Sequence, residues 1–192
     1  MRNLVFAINI TVDGCCDHTK TVQEAREGSD DGSDEKFKYY SDVLRETDLL
    51  VYGRKTYQLM VPFWPDVAKN RSMTKAANEF AEVFDSLDKI VFSQSLDSAG
   101  ENTRIVRTNL ADEILKLKQQ PGKKILTGGV SVPSQLIELG LVDEYRVLVH
   151  PIIAGEGTRL LEGISLPEQL QLRLVESKIF KSGCVALRYL RQ

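Results

Sequence analysis

The 192-residue chain reads as one α/β domain, residues 1–192, with a mostly parallel mixed sheet between two helical layers and an antiparallel C-terminal hairpin. Three observations predict this. Short apolar runs rich in Val, Ile, Leu and aromatic residues recur along the whole chain. Segments with helical periodicity separate the earlier runs, as the crossovers of a parallel sheet require. The last two runs are joined only by "KSG" (181–183), a hairpin turn with glycine at its tight corner.

The elements follow in order. "NLVFAINI" (3–10) is the first strand, and "EAREGSDDGSDEK" (24–36), with six acids against two bases, reads as a solvated loop. Residues 34–46 read as a helix, "DLLVYG" (48–53) as a strand, and "GRKTY" (53–57) as the opening of another helix. Residues 72–84 are again helical, and "KIVFS" (89–93) and "RIVR" (104–107) are strands. In "NLADEILKLK", Asn109 can cap the first turn, and Leu110, Ile114 and Leu117 recur at i, i+4 and i+7. "KILTG" (124–128) is a strand. In "SVPSQLIELG" (131–140), Ser131 can cap, Pro133 is tolerated in the first turn, and Gly140 can end the helix. "EYRVLVHPII" (144–153), "QLRLVESKIF" (171–180) and "CVALRYLR" (184–191) are the remaining strands.

Composition narrows the function classes. With 42% hydrophobic and 27% charged residues the chain has the make-up of a globular protein. A net charge of −2 and the lack of a basic face argue against nucleic acid as a partner. No apolar stretch approaches the roughly 18 residues of a membrane span, and "MRNLVFAINITVDG" lacks a cleavage pattern, so it reads as a strand. Three cysteines make no disulfide framework, and "CCDH" (15–18) has the wrong spacing for a metal site. The expectation is a cytoplasmic protein with reduced thiols, no metal and no membrane contact.

Three strand ends carry the chemistry. Strands run directly into small or phosphate-friendly residues at "VYGRKTY" (51–57), "VFSQS" (91–95) and "LTGGVS" (126–131). In a parallel sheet the carboxyl ends share one edge, where ligands bind. Gly128 and Gly129 either make a tight strand-to-helix turn or let a pyrophosphate approach the backbone. Arg54 is a fork of donors for a phosphate or an ordinary surface residue; Thr56 adds a hydroxyl, and Ser93 could complete a ribose-phosphate pocket. Together they favour a nucleotide, although neither G-x-G-x-x-G nor a P-loop is present. Asp13, before Gly14, lines the mouth of such a site or belongs to a turn. Tyr57 and Met60 form a pocket wall or pack in the core; Trp64, between Phe63 and Pro65, stacks on a flat heterocycle or covers the core edge. His150, before Pro151, reads as structural.

These motifs resemble a family. "INITVDG", "LLVYGRKTYQLM", "TGGVSVPSQLIELGLVDEYRVLVHPIIAGEGTRLL" and the terminal hairpin are similar to the reductase domain of riboflavin biosynthesis, which has the dihydrofolate reductase-like fold. The resemblance implies an NADPH-dependent oxidoreductase. Gly128–Gly129 would hold the pyrophosphate, with Arg54, Thr56, Ser93 and Gln94 around the 2′-phosphate and linking phosphates. Gly53, Lys55, Thr127, Val130 and Ser131 would share those strand ends. Asp13, Tyr57 and Trp64 would face the substrate. Dihydrofolate reductase carries an acid on its first helix that supports protonation, which here falls near Asp34 and Glu35; Asp34 also fits a helix-capping role. Two departures stand out: Ala7 where the riboflavin reductases carry a first-strand lysine, and "VPFWPDVA" (61–68) in place of their Asp-Pro-x-Leu-Thr-x-Arg. Stand-alone dihydrofolate-reductase-like relatives share the aromatic-proline segment, and the chain looks most like them. The implied activity is hydride transfer to a small heterocyclic or carbonyl substrate. The alternatives are the riboflavin-pathway reduction of 5-amino-6-(5-phosphoribosylamino)uracil and a nucleotide-binding module without turnover. The family expectation is a homodimer formed through the last strands and the "HPIIAGEG" loop.

Overall fold

Alternate burial along the central strands shows one sheet serving two cores. In the structure, a computed structural model describing residues 1–17, 33–166 and 168–192, the chain runs β1 (Leu4–Thr11), α1 (Ser33–Arg45), β2 (Thr47–Gly53), α2 (Arg54–Met60) and α3 (Trp64–Asn70). It continues with α4 (Lys75–Ser86), β3 (Asp88–Phe92), β4 (Thr103–Val106), α5 (Leu110–Gln119) and β5 (Lys124–Thr127). It ends with α6 (Ser131–Glu138), β6 (Glu144–His150), β7 (Leu172–Ile179) and β8 (Val185–Arg191). His18 and the greater part of the acidic stretch, 24–32, lie outside the described residues.

Leu4, Phe6, Ile8, Leu49, Val51 and Ile125 pack with Ile114 and Leu117 of α5 and Leu136 and Ile137 of α6. Their neighbours Val5, Leu50, Tyr52 and Leu126 pack with Val43 and Leu44 of α1 and Phe80 and Phe84 of α4 on the other face. A period of two that is apolar on both faces is what a helix-covered parallel sheet demands. The sheet order is β4-β3-β2-β5-β1-β6-β8-β7, parallel through β6 and antiparallel at β6–β8 and β8–β7. The carboxyl ends of β1, β2, β3, β5 and β6 therefore share one edge. Among the described residues no helix is long and apolar enough to cross a membrane.

Element ends show where local chemistry ruled. Asn109 caps α5 by accepting from the Asp112 amide at 3.2 Å. Replacing that acceptor (Asn109→Ala) is expected to cost about 1 kcal/mol, read as a Tm lower by roughly 2–4 °C in a chain of this size. Gly140, at φ 66°, closes α6 with paired bonds from Gly140 N–H to Ile137 C=O and Leu141 N–H to Leu136 C=O. Ser131, expected as a cap, is instead the first helical residue. Val130 holds the cap position and supplies no side-chain acceptor. The helix expected at 72–84 starts at Lys75, because the Thr74 hydroxyl accepts from Ala77 N–H and fixes its beginning there. The strand expected to 153 stops at His150, before Pro151.

The opposite edge of the sheet holds a buried charge cluster. Glu144, 1% exposed, accepts from Arg146 Nε at 2.5 Å, Arg188 Nε at 2.9 Å and Lys124 Nζ at 3.0 Å. Glu46 bonds the same Lys124 and Arg146 from the rim.

Candidate functional site

A cleft of about 1300 Å³ runs along the carboxyl edge, with walls from the ends of β1, β2, β3, β5 and β6. Its two halves differ in chemistry.

In one half, Gly53, Arg54, Lys55 and Thr56 meet Ser93 and Gln94 and the turn from Thr127 to Ser131. Three segments far apart in the sequence are thus brought to one wall by the β5–β2–β3 pairing. Arg54 and Lys55 are exposed and form no ion pair among the described residues. Ser93 Oγ accepts from the Ser95 and Leu96 amides, so its hydrogen is left to donate. Gln94 spends its amide N–H on Arg107 C=O and keeps its oxygen. Thr127 is fully buried and donates to Val51 C=O, which ties β5 to β2 beneath the turn.

The two glycines have different reasons. Gly129 sits at φ 87°, where a Cβ would lie 2.1 Å from Thr56 Oγ1, so the turn itself requires glycine. Gly128 carries no such constraint: a Cβ there would meet Ala7 O at 3.4 Å and Tyr52 Cε1 at 3.6 Å, ordinary contacts. Gly128 lines the cleft, and without a side chain its backbone meets that space directly. Beside it, Ser134 Oγ in the first turn of α6 is buried without a hydrogen-bond partner and also lines the cleft. Sequence reading missed Ser134, because a serine inside an apolar helix face carries no pattern of its own. Bare amides, an open glycine, an orphaned hydroxyl and two unpaired cations form a donor set suited to a phosphorylated dinucleotide.

The other half is aromatic with a polar floor. Trp64 packs edge-on to Phe80 at 4.6 Å between centroids and to Phe37 at 5.8 Å, and all three line the cleft with Met60. The floor joins β1 to β6: Asn9 Oδ1 accepts from the Tyr40 hydroxyl at 3.2 Å and faces His150 Nε2 at 3.1 Å. Since Asn9 Oδ1 can only accept, Nε2 carries the proton, and Nδ1 faces the Cys184 thiol at 3.6 Å. Burial, with Lys36 acting in the same direction, pushes His150 down to about 4 from 6.5. His150 is therefore neutral in the fold, while the unfolded chain binds a proton below 6.5. Stability is full above that value and falls as pH drops from 6.5 toward 4. Urea unfolding at pH 7 and pH 5 is expected to show a loss of roughly 1–3 kcal/mol that His150→Gln reduces.

Three of the residues expected at the site do not line the cleft. Asp13 is spent on the loop after β6: it accepts from the Ala154 and Gly155 amides and the Thr11 hydroxyl, which hold its carboxyl well below the usual carboxylate range. Tyr57 is buried and its hydroxyl accepts from Gly100 N–H at 2.9 Å, so it packs in the core. Asp34 accepts from the Thr74 hydroxyl at 2.6 Å, bridging α1 to the start of α4. Lys36 does reach the cleft, as do Phe37, Tyr40 and Leu44 of the same helix. Its spacing from Tyr40, Val43 and Leu44 is the i, i+4, i+7, i+8 of a buried stripe, a signal present in the sequence.

Comparison with known proteins bears on the family and the fold. Residues 2–186 match the profile of the RibD C-terminal domain. The uncharacterized protein YyaP of Bacillus subtilis (strain 168) is 33% identical over 151 residues, 78% of this chain and 77% of that protein. YwjB of the same organism, also uncharacterized, is 28% identical over 156 residues, 79% and 78% of the two chains. A structure from Shewanella sp. PV-4, provisionally described as a riboflavin biosynthesis protein, superposes with a TM-score of 0.71 at 19% identity, covering 100% of this chain and 99% of that one. A pyrimidine reductase-like protein from Corynebacterium diphtheriae gives a TM-score of 0.59 at 16% identity, covering 100% and 92%. At these identities the structural likeness is one of fold, and the fold is the dihydrofolate reductase-like three-layer sandwich.

Proposed function

The chain belongs to the RibD C-terminal domain family, and on that premise we propose that it is an NADPH-dependent reductase acting on a small heterocyclic or carbonyl substrate. The observation that carries this reading is a cleft whose phosphate-suited half opens into an aromatic half. NADPH, when bound, supplies the hydride. The chain's residues do the rest. The Gly128–Gly129 turn and the start of α6, with Ser134, take the pyrophosphate; Gly53, Lys55 and Thr56 close around it. Arg54, with Ser93 and Gln94, takes the 2′-phosphate. The rings of Trp64, Phe37 and Phe80 hold a flat substrate and exclude water. Asp34 is engaged with Thr74, so a bound water delivers the proton in this reading.

Nicotinamide fluorescence tests the assignment. Titration is expected to show NADPH bound at least tenfold more tightly than NADH, and Arg54→Ala is expected to erase that difference, about 1.4 kcal/mol. Equal affinities in the native chain, or no binding of either, would remove the reductase reading and leave the fold. Binding without oxidation in any substrate screen would favour a nucleotide-binding module. The names of structural relatives favour a riboflavin-pathway substrate, 5-amino-6-(5-phosphoribosylamino)uracil; complementation of a riboflavin auxotroph separates that case. We place the protein in the cytoplasm with Cys15, Cys16 and Cys184 as thiols. We also propose a homodimer through edge strand β7, where Leu174 and Ile179 are exposed, to be checked by sedimentation.

A further inference from the structure

The floor of the aromatic half is a single carboxamide held from two sides. Alternation along β1 puts Ala7 and Asn9 on one face, and both line the cleft. The β1–β6 register sets Asn9 opposite Leu148 and Thr11 opposite His150, so His150 lies diagonally across from Asn9 on that face. Asn9 Oδ1 accepts from His150 Nε2 at 3.1 Å and from the Tyr40 hydroxyl at 3.2 Å. Both acceptor sites of that oxygen are taken, which fixes the amide plane from a strand and from helix α1. The other end of the group is Nδ2, with two hydrogens to donate and no partner among the described residues. Its neighbour on the same face, Ala7, offers only a methyl group.

We propose that Asn9 is a specificity-determining residue of this half: its Nδ2 donates to an acceptor on the edge of the substrate ring, and Tyr40 and His150 are the positioning residues that aim it. This rests on reading the aromatic half as the substrate side of a reductase. An oriented amide selects by the direction of the hydrogen bond. A carbonyl oxygen on the ring completes the pair, whereas an amino group there sets donor against donor and leaves both without partners. The aromatic wall takes either ring, so the choice between them falls to Asn9.

Trp64 is the chain's single tryptophan, so its fluorescence reports this half alone. The probes are lumazine, a pteridine with carbonyl oxygens on one edge, and 2,4-diaminopteridine, the same rings with amino groups there. The native protein is expected to bind lumazine at least tenfold more tightly than the diamine. Asn9→Asp keeps an oxygen for Tyr40 and His150 and turns the donor into an acceptor, so it is expected to reverse the preference. Tyr40→Phe frees one side of the carboxamide and is expected to narrow the preference while NADPH affinity stays within about twofold. NMR of the native protein gives a readout that needs no variant to fold: the Asn9 side-chain amide resonances are expected to move with lumazine. The proposal is overturned if lumazine is not preferred, if neither probe binds, if the preference survives in Asn9→Asp, or if those resonances stay still while lumazine binds. A preference that Asn9→Asp reverses in a protein that binds no NADPH would keep the role of Asn9 and refute the cofactor reading. NADPH binding with no preference between the probes would do the opposite.

Discussion

Glu144→Ala is expected to destabilise the fold by about 3–5 kcal/mol, a fall in Tm of roughly 10 °C. The loss is not that of one bond. Arg146 is 5% exposed and has its Nε on Glu144; without that carboxylate a guanidinium is left in the sheet with only the rim acid Glu46. Arg188 and Lys124 lose a partner at the same time. Burial alone would push the Glu144 carboxyl up, but Arg146, Lys124 and Arg188 outweigh it and hold it below 4.5. A depressed carboxyl contributes stability that is present above its unfolded value and is lost as pH falls through the folded one. The native chain is therefore expected to lose this contribution below about pH 4.5, and Glu144→Gln to show a flatter acid limb. A double change, Glu144→Leu with Arg146→Leu, should cost less than the two single changes summed, since no lone charge remains. A loss under about 1 kcal/mol in Glu144→Ala would mean that the cluster is solvated.

The glycine pair gives the second large effect, and it separates fold from function. Gly129→Ala forces a side chain into φ 87° and against Thr56 Oγ1, so it is expected to cost roughly 1–3 kcal/mol and to abolish nucleotide binding. Removing Thr56 Oγ1 as well (Gly129→Ala with Thr56→Ala) should restore part of the stability, because the backbone strain persists. Gly128→Ala meets only ordinary contacts and should melt within about 2 °C of the native chain. Gly128 nevertheless lines the cleft, and an added methyl at the proposed pyrophosphate turn is expected to lower NADPH affinity at least tenfold. Calorimetry and the fluorescence titration on the same samples read both quantities. Unchanged affinity in Gly128→Ala would remove the pyrophosphate from this turn.

How much of this the sequence declares depends on the range of the forces involved. The strands were legible because alternate residues such as Phe6 and Val5, or Val51 and Leu50, serve two cores and make apolar runs. The phosphate-suited half was legible because each part is local to one strand end. The aromatic half was legible only in Trp64 and Met60, since β1–β6 pairing and the placement of α1 assemble Asn9, His150, Tyr40 and Lys36. The partners of Asp13 and Asp34 were hidden for the same reason: they lie 141 and 40 residues away, at Ala154 and Thr74. The segment after Met60 hid one short helix, α3, because Pro65 is allowed in a first turn and Arg71 ends it in a left-handed conformation that arginine seldom marks.

Two-dimensional NMR of the backbone amides while NADPH is added tests directly whether these strand ends hold the nucleotide. The largest shifts are expected at residues 53–56, 93–95 and 128–131, with the amides of Gly128 and Gly129 foremost. Shifts confined to β7 and β8, or no shifts at high NADPH, would contradict that placement.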